Sequence, residues 1–457
     1  MSDFPLIWSD DLDAPLAWRN GQAISRRQYL ADVHAVASLL PPVGPMLNAT
    51  LDRYRFAVGL GAAMLRGQVN LLPPNHTFET VARLRGLFPD CYALSDDPRR
   101  RVDLPMVWQD PAPADLTLVA TCAEPIRLDA QALAAQVLTS GSTGAPMPHA
   151  KRWGLLVRNT QAGAQRLAHQ MGRADLTGVT LVATVPPQHM YGFETTVLLP
   201  LMNGHAFYAG RPFFPVDVAR SLAAASAPRM LVTTPVHLRA ICAHPQPMAA
   251  LAHVISATAP LDAALATLAE TYFRALLSEV YGCTEAGQVA TRRTLDGEIW
   301  QTYADVQIHP NSDGTATVSG GHVETPVILS DFVRVEDSTH FALLGRTADM
   351  INIAGKRVSL AYLNHHLLMI EGVKDGSFFW PDHNEAETLQ RLVAFVVAPE
   401  LDRAQLRAAL APIVDPAFMP RPIFWLDQLP RNSTGKLTRA LLQALYEARR
   451  NTAAKQG

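Results

Sequence analysis

Apolar positions along this chain alternate between two periods. In 26–40, Tyr29, Leu30, Val33, Val36, Leu39 and Leu40 stand mostly three or four apart, the spacing of a helix with one buried face. A second helical stretch, 53–66, is rich in small residues (Gly59, Gly61, Ala62, Ala63) that permit close packing. Further helices are expected over 78–86, 155–170 and 262–275. Between them lie short continuous apolar runs at 69–72, 91–94, 134–138, 180–184, 198–201, 206–208, 230–234 and 254–257. Such runs, buried on both faces and separated by helices, predict an α/β fold with helix-covered sheets. From about Gly287 the texture changes to short strands at 299–302, 306–309, 316–319 and 327–329, with turn residues at Asn311, Ser312, Asp313 and Gly314. This predicts a distorted, barrel-like segment. Beyond it lies a compact α+β tail with a strand over 392–397 and a last helix over 437–448.

Composition narrows the class. With 457 residues, 48% hydrophobic and 18% charged, the chain suits an enzyme of two or three domains with an ample core. A formal net charge of −2 offers no electrostatic footprint for nucleic acid. The acidic amino terminus lacks the basic and apolar regions of a signal peptide, and no apolar run is long enough to span a bilayer. Four scattered cysteines (Cys91, Cys122, Cys242, Cys283) form no CxxC pair, which argues against a zinc site and fits a reducing compartment, the cytoplasm.

The candidate chemistry begins where the 134–138 run ends. Thr139, Ser140, Ser142 and Thr143 are threaded among Gly141 and Gly144, so backbone N–H groups and hydroxyls can converge on a polyanion, with Lys151 a few residues on. The spacing is not that of a Walker loop. Other strand ends carry Gln188-His189-Met190-Tyr191-Gly192, Thr258-Ala259-Pro260 and Tyr281-Gly282-Cys283-Thr284-Glu285, the places where open α/β sheets bind ligands. Taken singly, Glu285 also reads as a helix-start carboxylate, Lys436 as a solvated lysine and Tyr281 as a core aromatic.

In order along the chain these segments, with Ser330-Asp331-Phe332, the 343–357 stretch and Ser433-Thr434-Gly435-Lys436, resemble the adenylate-forming superfamily of acyl- and aryl-CoA ligases, luciferases and peptide-synthetase adenylation domains. The resemblance runs from about Gln22 to Leu442. It implies ATP and Mg²⁺ as cofactors. It implies a large domain over 1–344, a hinge at 345–349 and a small mobile lid over 350–457. By the same resemblance Thr139 to Gly144 cradle the β- and γ-phosphates, Tyr281 and Gly282 lie at the adenine, and Ala257, Thr258 and Ala259 form the wall on its other face. Thr284 meets the α-phosphate, Glu285 holds the metal, Asp331 grips the ribose and Arg346 lies near ribose and phosphate. Lys436 bridges the acid's carboxylate and the α-phosphate. Two departures stand out. Met147 occupies the usual lysine position, leaving Lys151 either as a phosphate ligand or as a surface residue. Ala348 occupies the usual hinge-carboxylate position, with Asp349 beside it.

His189, Tyr191, Gly192, Phe193, Thr234 and Gly287 are the candidate acid pocket, His189 beside the carboxylate; Met190, Phe193 and Leu198 also read as plain core. No aspartate stands where an amino-acid substrate would need one. The closest resemblance is to hydroxybenzoate:acyl-carrier-protein ligases of aryl-polyene and xanthomonadin pigment pathways. It implies a small aromatic acid such as 3- or 4-hydroxybenzoate, with an acyl carrier protein, or CoA, as acceptor. Residues 421–457 carry seven basic side chains against two acidic ones, a rim that suits an acidic carrier protein. A fatty acyl ligase and a non-catalytic adenylate-binding module are the alternatives.

Overall fold

The computed structural model describes residues 3–109, 116–122, 124–138, 148–346, 350–353, 356–381, 391–431 and 437–454. The chain divides into two compact units. One comprises Met1–Ile308 with Val318–Val327, the other His309–Thr317 with Ile328–Gly457.

In the first unit the larger sheet runs Ile299–Thr302, Gly287–Arg292, Leu277–Cys283, His253–Ser256, Arg229–Thr233, Thr180–Ala183, Ala206–Tyr208, Pro15–Arg19, Gln22–Ser25. From Leu277–Cys283 to Pro15–Arg19 the strands are parallel; both ends are closed by antiparallel partners. The central strands are short and almost wholly buried, as continuous apolar runs require. A second sheet runs Pro148–Arg152, Leu133–Leu138, Asn70–Leu72, Met46–Asn48, Tyr92–Ser95, Met106–Trp108, parallel except for its first pair. Helices Arg26–Leu39, Arg53–Leu65 and Trp153–Gln170 supply apolar faces to one core containing the fully buried Phe56, Trp153, Phe193 and Phe207. Arg53, at the start of its helix, is also buried. Its guanidinium donates to the carbonyls of Ala183 (3.3 Å) and Val185 (2.9 Å) and to Thr196 Oγ1, tying a strand end to the segment that follows it.

Two elements correct the expectation. The 198–201 run is not a strand. Residues 190–202 are helical throughout, as Met190–Phe193, a wider π turn at Glu194–Leu198, and Leu199–Met202. A short apolar run fits either state, and here burial on every side allows a helix. Conversely, the end of the 139–151 segment is not loop: Pro148–Arg152 is a strand with Lys151 opposite Ala135. Its alternation was hidden because the buried position carries a lysine. The expected barrel-like segment holds strands at Ile299–Thr302, Val306–Pro310, Ala316–Gly320 and Val323–Ile328, the last lying earlier than expected.

In the second unit the hairpin Asp331–Val335/His340–Arg346 precedes the hairpin Met350–Ile353/Lys356–Ser359 and the helix Leu360–Leu368. The sheet Asp375–Phe379, Val393–Val397, Ile423–Trp425 is covered by Arg403–Leu410 and Arg439–Ala454.

Candidate active site

The site grows from neighbouring strand ends of the first unit. Leu277–Cys283 carries Tyr281 and Gly282 and runs on into Thr284 and Glu285, then returns as Gly287–Arg292. Two glycines make this tight return feasible. A Cβ on Gly282 would collide with the Gly287 carbonyl, and Gly287 itself has φ +81°, a conformation that favours glycine. The half-buried Tyr281 ring lies 5.7 Å from Trp300, and the Arg292 guanidinium lies 4.7 Å from the Trp300 ring. Just past the end of the adjacent strand His253–Ser256, Ala257 is buried while Thr258 and Ala259 are exposed. Thr258 has φ +80°, costly for a β-branched residue by about 1–3 kcal/mol, and such strain clusters at functional sites.

Lys151 is 9% exposed, so it is not a surface residue. Its ammonium donates to the backbone carbonyls of Thr284 and of Glu285, the latter at 3.1 Å. The cation therefore braces the turn that carries both candidate residues. Burial draws its pKa down, opposed by Glu194 first and then by Cys283, Glu285 and Glu324. His149, two residues before it, stands 3.7 Å from the Glu285 carboxylate. Burial holds the His149 imidazole below its ordinary value against the pull of Glu285.

Lys151, Glu285 and Gly287 line a solvent-open cavity together with Met190, Asn159 and Glu194. Glu194 is 2% exposed, and burial pushes its carboxyl up to about 8 although Lys151, Asn159 and Gln288 all pull the other way. At neutral pH it holds its proton. Asn159 donates to Glu194 Oε1 through Nδ2. Neither residue stood out as a candidate in the sequence. The available signal was a lone carboxylate in the apolar stretch Phe193-Glu194-Thr195-Thr196-Val197-Leu198.

The other pocket candidates lie outside this cavity's lining. His189 immediately precedes the helix Met190–Phe193 and is half-buried. Tyr191 donates its hydroxyl to the Ile255 carbonyl at 3.2 Å. Gly192 is packed so closely on the Pro186 carbonyl that any Cβ would collide with it, and Phe193 sits edge-on to Phe56 in the core. Thr234 caps the helix Pro235–Ala243, its side chain accepting from His237 N at 3.3 Å. In the second unit Asp331 and Arg346 are cross-strand partners in one hairpin. Residues Thr139, Ser140, Gly141, Ser142, Thr143 and Gly144, with Met147, Ala348, Asp349 and Lys436, lie outside the described residues.

Among the described residues no group of three or more His, Cys, Asp and Glu is placed to hold a metal. Mg²⁺ shared with nucleotide phosphates takes only one or two protein carboxylates, and the half-exposed Glu285 carboxylate on the cavity wall fits that donor set.

A profile of the AMP-binding enzyme family matches residues 80–337. The chain belongs to that family. It is 30% identical over 313 residues to a 4-coumarate–CoA ligase of Halorhodospira halophila, an alignment covering 65% of this chain and 73% of the relative. It is 23% identical over 315 residues to a 3,4-dihydroxybenzoate–[aryl-carrier protein] ligase of Bacillus anthracis, covering 67% and 72%. Among solved structures, ATP-bound MatB from Rhodopseudomonas palustris superposes with a TM-score of 0.79 at 18% identity, over 96% of this chain and 97% of that one, which establishes a shared fold. This family member is an ATP-dependent, AMP-forming acid ligase. No helix among the described residues is long and apolar enough to cross a membrane.

Proposed function

We propose that the protein activates a small aromatic acid, of the 3- or 4-hydroxybenzoate kind, as its acyl-adenylate and passes the acyl group to a phosphopantetheine thiol of an acyl carrier protein or CoA. The observation that carries this reading is the pair of relatives, both named for aromatic acids, one with CoA and one with an aryl-carrier protein as acceptor. The basic side chains of 421–457 favour the carrier protein, because complementary charge steers encounter with an acidic partner.

In the first half-reaction a carboxylate oxygen of the acid bonds to the α-phosphorus and the bond to pyrophosphate breaks. In the second a thiol sulfur bonds to the acyl carbon, AMP leaves and the thiol proton passes to solvent. Thr139 to Gly144 would hold the departing pyrophosphate. Tyr281, Gly282, Ala257, Thr258 and Ala259 would bound the adenine, and Asp331 and Arg346 the ribose. His189, Tyr191, Gly192, Phe193, Thr234 and Gly287 would be the acid's surroundings. Thr284 would donate to the α-phosphate and Glu285 would be the magnesium ligand, Mg²⁺ supplying charge neutralisation on the phosphates when bound. In the structure Lys151 turns to the Thr284–Glu285 backbone, and its role in this reading is to keep that turn in place rather than to grip phosphate. Lys436 would stabilise the charge that develops during attack, and the lid over 350–457 would then rotate about 345–349 to admit the thiol.

The test is acid-dependent ATP–pyrophosphate exchange with benzoate, its hydroxy derivatives and fatty acids side by side. Exchange restricted to aromatic acids is the expected result. Exchange with fatty acids alone would overturn the substrate class, and no exchange with any acid would overturn the ligase reading.

A further inference from the structure

We propose that Asn159 and Glu194 form a subsite that reads a hydroxyl group on the acid, making them specificity-determining residues of this ligase. The inference deepens the aromatic-acid reading and rests on it.

Asn159 lies on the helix Trp153–Gln170 and is 2% exposed. Its Nδ2 donates to Glu194, yet its buried Oδ1 accepts from nothing among the described residues. A buried amide oxygen without a donor keeps its full desolvation penalty, so a donor arriving through the cavity is favoured there. Both residues line that cavity beside Gly287 and Met190, next to the turn bearing Glu285. Gly287 presses its backbone directly on the pair: a Cβ would stand 2.8 Å from Asn159 Nδ2 and 2.9 Å from Glu194 Oε1. Glu194 also opens the π turn Glu194–Leu198, and such turns inside α-helices recur at functional sites.

The chemistry of the cavity selects the donor. An ammonium would meet the Lys151 and Arg152 cations in the same wall, where the Glu324 carboxylate is already paired with Arg152 and that of Glu285 faces the His149 imidazole. A carboxylate or phosphate brings no hydrogen for Asn159 Oδ1. An aliphatic substituent leaves that oxygen unpaired. A neutral hydroxyl meets every condition: it donates to Asn159 Oδ1, and its own oxygen can accept from the protonated Glu194 carboxyl.

The experiment compares kcat/KM for pyrophosphate exchange with benzoate and the three monohydroxybenzoates, using the full chain and its Asn159→Leu and Glu194→Gln variants. At least one hydroxybenzoate is expected to exceed benzoate by about 100-fold in the unaltered protein, because a site built around a hydroxyl discriminates strongly against its absence. Asn159→Leu should cut that ratio by about tenfold or more. The ratio is insensitive to a uniform loss of folded protein. If Asn159→Leu does not accumulate, Asn159→Ser carries the same expectation. Equal use of benzoate and all hydroxybenzoates, or a preference that no variant alters, overturns the subsite alone. Exchange with fatty acids and with no aromatic acid overturns the aromatic reading and the subsite with it.

Discussion

Glu194 shows how one residue's environment reverses its ordinary behaviour. A surface glutamate ionises near 4.5, whereas burial raises this one to about 8, with Lys151 only partly offsetting the desolvation. The native state thus keeps a proton that the unfolded chain has released between those two values. The unfolded state binds fewer protons there, so the stability tied to this group is complete below about 4.5. It is lost as pH rises toward about 8, at about 1.4 kcal/mol per pH unit for a full proton. Glu194→Gln removes the titration. Urea unfolding between about pH 5 and about pH 8 should therefore show the wild type losing ground steadily to the variant. A difference in stability that stays constant over that range would contradict the burial assigned to this carboxyl. The position was visible in the sequence as a charge among apolar residues, but neither its proton nor its partner Asn159, 35 positions away, was.

At the scale of elements, Thr234 illustrates a candidate whose described contact is architectural. It stands among the candidates for the acid pocket, and the structure uses its side chain to cap Pro235–Ala243. Thr234→Ala should cost about 1 kcal/mol of unfolding free energy, the usual value of an N-cap. The KM for the acid, measured in the same variant, separates this from a pocket role: an unchanged KM leaves only the cap. The parallel strands of the larger sheet were legible because continuous apolar runs with helices between them have few other solutions. The 198–201 run and the Pro148–Arg152 strand depart from expectation for opposite reasons. The first, Leu198-Leu199-Pro200-Leu201, is apolar at every position and so lacks a period; the second breaks its alternation with the buried Lys151.

For the whole molecule, the proposed two-step reaction requires different residues to face the adenylate in turn. Lys436→Ala should reduce pyrophosphate exchange by about 10²–10³-fold, the scale on which a single charge-stabilising group contributes. Thioester formation from supplied acyl-adenylate should be largely spared. Equal loss of both half-reactions would rule out the rotation of the lid over 350–457.

The sequence by itself determined the class of this protein. An ordered set of short segments, from Thr139 through Tyr281, Thr284 and Glu285 to Asp331 and Lys436, marked an adenylate-forming enzyme, and family membership agrees. Order along the chain suffices for that, because each segment is recognised from its own few residues and their spacing, without reference to distant contacts. The tertiary structure decided what Lys151, Asn159 and Glu194 do. Their chemistry arises from contacts across 133, 134 and 35 positions and from burial, which no local pattern encodes. The glycine–hydroxyl stretch reads from sequence as a phosphate site; the fold turns Lys151, a few residues beyond it, inward to brace the turn that bears Glu285.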